Sequence, residues 1–232
     1  RDFVEGGALP DGLLTEAKRQ ADQYQFFHWH LAFPEVFANG GFDVNLGNPP
    51  WEMPEVDDRE FFGSRCPEIA REESARKRSA LISALGQDHP ILHAEWTDFL
   101  RRHEAIRAFI AASDRYPNGG SGRLNLFRIF VELGWLSCSV RGRLGMVIPS
   151  GLATNAYERP LWTWLVNGHQ VASLFDFENR NGLFPNVHRM AKFSLLTLGR
   201  NSNAILSACW LWTPSELMQP NRIVPISLDE LR

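Results

Sequence analysis

A short apolar run that ends at two consecutive prolines is the feature of this 232-residue chain that most constrains its fold. Residues 42–47 (FDVNLG) follow a glycine-rich turn and lead directly into Asn48-Pro49-Pro50-Trp51. This pattern predicts a mostly buried strand, and the prolines must end it because they cannot donate the hydrogen bonds of a sheet. The sequence therefore places a polar side chain and an aromatic ring just beyond the carboxyl end of a strand.

The rest of the chain alternates between strand and helix patterns. Strands are predicted over 144–149, 171–177 and 191–198, and helices over 13–28, 66–85, 124–136 and 157–166, with one more helix capped by Asp88 and running to Ile110. Arg141 and Gly142 are expected to close the helix that begins at 124. The connection before 191–198 is too short for a crossover helix, so this strand is predicted to form an antiparallel edge hairpin. The pattern predicts an α/β sheet with such an edge and a helical insertion.

Composition excludes several classes of protein. With 44% hydrophobic and 22% charged residues the chain has the composition of a globular domain, and its three separated cysteines support neither a disulfide framework nor a thiolate zinc site. No apolar run is long enough for a membrane span and no signal peptide is evident, so no membrane partner and a cytoplasmic location are expected. A net charge of −3 means that any polyanion must be met by a local basic surface.

The Asn-Pro-Pro-Trp segment (residues 48–51) combines hydrogen-bond acceptors with an aromatic ring. Ligands of open α/β sheets bind beyond the carboxyl ends of the strands. The Asn48 side-chain oxygen and the Pro49 carbonyl are two acceptors in a stiff arrangement, which suits an amino group with two hydrogens. Trp51 adds a flat face on which a base can stack. The alternative is a structural end to the strand, with Trp51 in the core.

Residues 40–51 resemble the catalytic segment of the adenine-specific DNA methyltransferases of restriction-modification systems, in particular the large chains that fuse methylase and nuclease. Residues 33–37 (FPEVF), 124–130 (LNLFRIF), 142–150 (GRLGMVIPS) and 184–193 are similar to further segments of the family in the same order. The resemblance implies a Rossmann-like methyltransferase sheet, of which this chain holds part. It divides the chain into a lead-in over 1–41, a catalytic part over 42–200 with an insertion over 66–115, and the start of a connection to a target-recognition region over 201–232.

The resemblance implies roles for particular residues. Residues Asn48, Pro49, Pro50 and Trp51 would be catalytic, Trp51 and Phe184 would contact a flipped adenine in double-stranded DNA, and Asn125 and Phe127 would contact S-adenosylmethionine. The main loop for that cofactor is expected upstream of Arg1, so the chain alone is expected to bind it weakly or not at all and to show no turnover. Other restriction-modification or defence subunits are expected as further partners.

Two other functions remain open. The same segment serves methyltransferases that act on protein glutamine or RNA, because any planar amide or amine suits its acceptors. The chain could also be a catalytically incomplete module that only binds DNA or a partner.

Sites of other kinds have less support. His28 and His30 lack a third ligand nearby, so no metal is expected. The loop 119–122 (GGSG) lacks the Lys and Ser or Thr of a phosphate loop and is expected to be a disordered turn.

Overall fold

The computed structural model describes residues 12–53, 55–122 and 124–228. Its helices are α1 Leu13–Tyr24, α2 Trp29–Ala32, α3 Pro34–Ala38, α4 Asp58–Gly63, α5 Pro67–Arg71, α6 Ala75–Asp88, α7 Pro90–Ala112, α8 Leu126–Leu136 and α9 Arg159–Asn167. Its strands are β1 Phe42–Gly47, β2 Cys138–Pro149, β3 Val171–Glu178, β4 Lys192–Leu198, β5 Ala204–Leu211 and β6 Val224–Ser227. Short 3-10 helices cover Ala156–Glu158, Asn179–Asn181 and Pro214–Met218.

The strands form a single mixed sheet in the order β1-β2-β4-β3-β5-β6. This confirms the predicted α/β class. Strand β4 runs antiparallel to both of its neighbours, β2 and β3, whereas β3 and β5 are parallel. The predicted position of β4 at the edge is wrong, because it lies inside the sheet between β2 and β3. The crossover through α9 leaves a gap between these strands, and the short connection after β3 returns the chain into it.

The outer part of the sheet was not predicted. Strand β5 pairs with β3, and β6 pairs antiparallel with β5 at the edge. The segment 201–232 was assigned to a connection, but its residues up to 228 largely continue the same sheet. Side chains of β5 do not alternate strictly between polar and apolar, and for this reason the period-two pattern gave no signal there.

Three further local predictions need correction. Asp88 is the last residue of α6 and does not cap α7, whose N-cap is His89 without a side-chain hydrogen bond. Arg141 and Gly142 lie inside β2, because α8 already ends at Leu136. The helix expected over 66–85 is divided into α5 and α6 by a short extended stretch around Glu72.

The main core lies where α8 and α9 pack on the sheet. Helix α8 is apolar nearly all round, as a helix covered on several sides must be. The fully buried members of this core include Val131, Trp135, Leu144, Ile148, Leu161, Leu165, Leu196 and Leu198. Burial of this apolar surface holds the strands that carry the candidate site.

Helices α4 to α7 share a second, small aromatic core. Phe61, Phe62 and Trp96 are buried together with Ile69 and Leu85, and the ring centroids of Phe61 and Trp96 are 5.0 Å apart. These core residues are spread over α4 to α7 and come together only in the folded chain.

The chain divides into two compact units, Arg1–Phe42 and Asp43–Arg232. Within the described part of the first unit, Trp29, Phe33 and Phe37 each form an edge contact with Phe42. His30 lies in α2 and stacks on Phe37 at 3.8 Å. Over the described ranges, no helix combines the length and the apolar character that crossing a membrane requires.

The glycine-rich loop at 116–122 is held by one buried carboxylate. Glu132 of α8, 1% exposed, accepts hydrogen bonds from the Asn118 side chain at 2.7 Å and the Gly119 backbone at 2.6 Å. A Cβ atom on Gly119 would lie 2.7 Å from the Arg128 carbonyl oxygen, so only glycine fits there. The disordered turn expected from sequence is therefore wrong: the loop is packed against α8.

We expect Glu132→Ala to lower the free energy of unfolding by about 3 kcal/mol, because it leaves buried N–H donors without an acceptor. Urea denaturation measures this change. The matched control is Glu104→Ala on the exposed side of α7, which should stay within about 0.5 kcal/mol of the wild type. Equal stability of the two variants would contradict the role given to Glu132.

Candidate functional site

Several strands end at one edge of the sheet. Strand β1 ends at Gly47, immediately before Asn48, and β2 and β3 end at Pro149 and Glu178. Strand β4 begins here, and its Phe193 is paired with both Pro149 and Phe177. The edge at which β2 and β3 end is thus lined by the first residues of β4.

An open pocket of about 240 Å³ lies at this edge. Its lining residues come from the segment after β1, the loop between β3 and β4, and the start of β4. They are Asn48, Pro49, Trp51, Phe184, Val187, Ala191 and Phe193. The structure therefore brings Asn48, Pro49 and Trp51 together with Phe184, although Phe184 follows Trp51 by 133 positions in the sequence.

The polar group of this pocket is Asn48. Its side chain is exposed, and within the described ranges its amide makes no hydrogen bond, so both amide atoms are available to a ligand. Pro49 is buried against the pocket wall, whereas Pro50 is exposed and does not line the pocket. The arrangement offers an amide beside three aromatic side chains.

Trp51 ties the Asn-Pro-Pro-Trp segment to the sheet. Its indole Nε1 donates a hydrogen bond to the Val147 carbonyl of β2 at 3.2 Å, and its half-buried ring packs against the core. The next residue, Glu52, accepts a hydrogen bond from the Leu126 backbone at the start of α8 at 3.0 Å. Trp51 thus both lines the pocket and anchors the segment, and its predicted contact with a base stays a prediction.

Asn125 and Phe127, expected to contact the cofactor, have other contacts. The Asn125 side chain caps α8 by accepting from the Phe127 backbone at 3.2 Å, and its Nδ2 donates to the Trp51 carbonyl at 3.5 Å. Phe127 is 2% exposed within the main core. Neither residue lines the pocket, and their predicted contact with a cofactor stays a prediction.

The position of Phe184 is fixed by Asn179, a residue that the sequence analysis missed. The buried Asn179 amide donates to the carbonyls of Phe184 at 3.0 Å and Val187 at 2.9 Å, and accepts from the Phe184 backbone at 2.9 Å. Phe184 then meets Phe193 edge to face, and Phe193 stacks on Phe177. The only available signal was an asparagine two residues after the end of a predicted strand, followed by a turn.

Arg128 and Glu158 form a buried ion pair that is not part of the pocket lining. Arg128 of α8 is fully buried, with its Nε 3.5 Å from the Glu158 carboxylate, and Nη1 donates to the Tyr157 carbonyl. Burial lowers the pKa of Arg128 and raises the pKa of Glu158, and in each case the charged partner opposes the effect of burial. Neither residue lines the pocket. Within the ranges described, no group of three or more metal-ligating side chains is present.

We expect Asn179→Ala to lower the free energy of unfolding by about 2 kcal/mol, because the loop amide and carbonyl groups lose their buried partner. The loop between β3 and β4 should also be cleaved faster in limited proteolysis. Asn181→Ala, in the same turn but exposed, is the control. If both variants match the wild type in stability and cleavage rate, Asn179 does not hold the loop.

Comparison with known proteins gives one family match. Residues 6–78 match the model of the Eco57I restriction-modification methylase family. No curated protein matches the sequence.

Among solved structures, the chain is similar to parts of larger proteins. The methyltransferase subunit of a type I restriction-modification system from Streptococcus thermophilus aligns with 53% of this chain and 26% of its own, at 14% identity and a TM-score of 0.37. The type IIG restriction endonuclease BpuSI aligns with 56% of this chain and 17% of its own, at 15% identity and a TM-score of 0.39. A DrdV–DNA complex aligns with 81% of this chain and 18% of its own, at 11% identity and a TM-score of 0.41.

These scores are low, and the chain spans about a quarter or less of the length of each of these proteins. The family match is more informative, because its limits include the Asn-Pro-Pro-Trp segment and the strand before it. Residues 6–78 therefore carry the sequence of a restriction-modification methylase region, as their resemblance to that family predicted.

Proposed function

We propose that this chain is the catalytic part of an S-adenosylmethionine-dependent methyltransferase that modifies the exocyclic amine of adenine in duplex DNA. The observation that carries the proposal is the pocket in which Asn48 and Pro49 meet Trp51 and Phe184. A target base can enter such a pocket only after it has left the helical stack, so the proposal includes base flipping. The match of residues 6–78 supports a role in restriction-modification or phage defence.

The chemistry assigned to the pocket is the positioning of an amine. An amide oxygen from Asn48 and the Pro49 carbonyl would accept the two amine hydrogens, which leaves the nitrogen lone pair directed at an electrophile. The rings of Trp51 and Phe184 would contact the faces of the base. No general base is required before the amine attacks, and catalysis depends mainly on orientation.

The cofactor, when bound, supplies an electrophilic methyl group. The two residues that the resemblance assigns to the cofactor have other contacts, because the Asn125 amide is bonded to Trp51 and Phe127, and the Phe127 ring is in the core. The part of the reaction that this chain accounts for is therefore the recognition and orientation of the amine.

Replacing Asn48 tests this role directly. In the intact protein that carries this chain, Asn48→Ala should reduce methyl transfer to duplex DNA by about 100-fold or more, since one positioned hydrogen-bonding group in an active site contributes about that much. Incorporation of radiolabelled methyl groups is the measurement. The control, Asn203→Ala, removes an exposed asparagine outside the pocket and should retain full activity. Retained methylation in Asn48→Ala would contradict the assignment.

The substrate class is tested in the same assay. We expect methyl groups to enter duplex DNA and not RNA or a glutamine-containing protein such as a release factor. Incorporation into RNA or protein alone would favour the alternative methyltransferases, and its absence from all three would favour a module that only binds DNA or a partner.

Residues 1–232 alone should bind S-adenosylmethionine with a dissociation constant above the micromolar range. This corresponds to a binding free energy less favourable than about −8 kcal/mol. The reason is that the two residues expected to contact the cofactor are committed to other contacts. Isothermal titration calorimetry of the chain with S-adenosylmethionine measures this. Micromolar or tighter binding would show that the chain contains a cofactor site elsewhere.

A further inference from the structure

A second pocket lies at the end of the sheet where β2 and β3 end and β4 begins. Lys192 and Phe193 are consecutive residues of β4, so their side chains point to opposite faces of the sheet. Phe193 lines the Asn48 pocket, whereas Lys192 lines another open pocket of about 240 Å³. That pocket also contains Asp176, Glu178 and Trp210. The proposed function assigns it no role.

Trp210 is unusual both in exposure and in backbone conformation. Its side chain is 68% exposed, and its φ of 59° lies in the left-handed region, which a large aromatic residue rarely adopts. The pairing of β3 with β5 shifts register between Phe175 and Phe177, which is the irregularity that accommodates this residue. Near the end of β5, the exposed and strained ring of Trp210 is available to a ligand.

Each of the two exposed tryptophans at this edge has a cation over its ring. The Lys192 ammonium lies 4.5 Å from the ring centroid of Trp210, and the Arg180 guanidinium lies 4.6 Å from that of Trp212. We name these four residues the tryptophan rim. Arg180 belongs to the same β3–β4 connection that carries Phe184, so the rim and the Asn48 pocket share a loop.

Cations and carboxylates are mixed around the rim. Beside Trp212, Glu216 accepts a hydrogen bond from the Trp212 backbone at 2.8 Å and pairs with Arg222 at 3.6 Å. Two carboxylates face the second pocket from β3, and both have partners: Asp176 accepts from the Ser194 hydroxyl, and Glu178 pairs with Arg180 at 3.6 Å. Lys192 forms no ion pair within the described ranges.

We propose that the tryptophan rim binds the DNA strand beside the base held in the Asn48 pocket. Lys192 and Arg180 would contact phosphates, and the indole faces of Trp210 and Trp212 would stack with base faces that flipping exposes. The inference rests on the proposed function in taking DNA as the ligand. It adds a surface and a preference for unpaired DNA that the Asn48 pocket does not explain.

The test uses the intact protein that carries this chain and fluorescein-labelled DNA, either single-stranded or as a duplex. Fluorescence anisotropy gives the affinity and its salt dependence. Trp210→Ala and Trp212→Ala should each weaken single-strand binding by about tenfold and duplex binding less, because stacking needs unpaired bases. Lys192→Gln should weaken binding to both DNAs and reduce the slope of log affinity against log salt by about 0.7 for the single strand.

The matched control is an exposed aromatic–arginine pair elsewhere in the chain, Phe109 and Arg115 at the end of α7, with the guanidinium 6.0 Å from the ring. Phe109→Ala and Arg115→Gln should bind both DNAs as the wild type does. Circular dichroism confirms that each variant is folded.

The proposal is overturned if the rim variants bind single-stranded DNA like the wild type, if the control pair weakens binding equally, or if the wild type binds neither DNA. Asn48→Ala separates this result from the proposed function. It should lose methyl transfer but keep DNA binding and its salt dependence. If Asn48→Ala transfers methyl groups normally and the rim variants bind DNA weakly, only the proposed catalytic role is refuted. If Asn48→Ala loses methyl transfer and the rim variants bind DNA normally, only the role of the rim is refuted.

Discussion

The antiparallel pairing of Lys192–Leu198 between β2 and β3 is the constraint on which the rest of the site depends. It sets Phe193 opposite Pro149 on one side and Phe177 on the other, at the edge where β2 and β3 end. Phe193 then supports Phe184 from the loop and forms a wall beside Asn48. Without β4 in this position the Asn-Pro-Pro-Trp segment and Phe184 would have no common wall.

A few polar contacts complete this arrangement. The Trp51 indole holds the segment after β1 to β2, and Asn179 holds the loop after β3. Both use neutral hydrogen bonds to backbone carbonyls, and each such bond contributes only about 1 kcal/mol net. Their main effect is therefore to fix geometry. The buried apolar core of α8, α9 and the sheet supplies most of the stability.

The elements that sequence predicted well have local causes. The limits of strand β1 were predicted as observed, because a glycine turn and a proline pair bound it on either side. Its predicted burial is wrong, since Val44 and Leu46 are exposed. The order of the strands was not predicted correctly, since it depends on contacts between distant residues. The same reason applies to Glu132, which holds the loop at Asn118, and to Asn179, whose burial is decided by the folded loop. A helix cap at Asp88 was a local inference that failed because α6 continues through that residue.

In the candidate site, too, local features could be predicted and contacts between distant residues could not. Asn48, Pro49, Trp51 and Phe184 were named from their sequence motifs, and the fold brings them to one pocket. Pro50 does not line it, and Trp210 was not noticed because no motif marks an exposed tryptophan in a strand. Sequence motifs thus indicated the residues of the Asn48 pocket. The tryptophan rim, which could bind a DNA strand, is formed by residues that come together only in the folded chain.

The central claim is that the Asn48 pocket orients the amine of adenine. It is tested most directly by digesting duplex DNA to nucleosides after incubation of the intact protein with radiolabelled S-adenosylmethionine. The account predicts that the label is recovered as N6-methyladenine. Recovery of the label in methylated cytosine would contradict it.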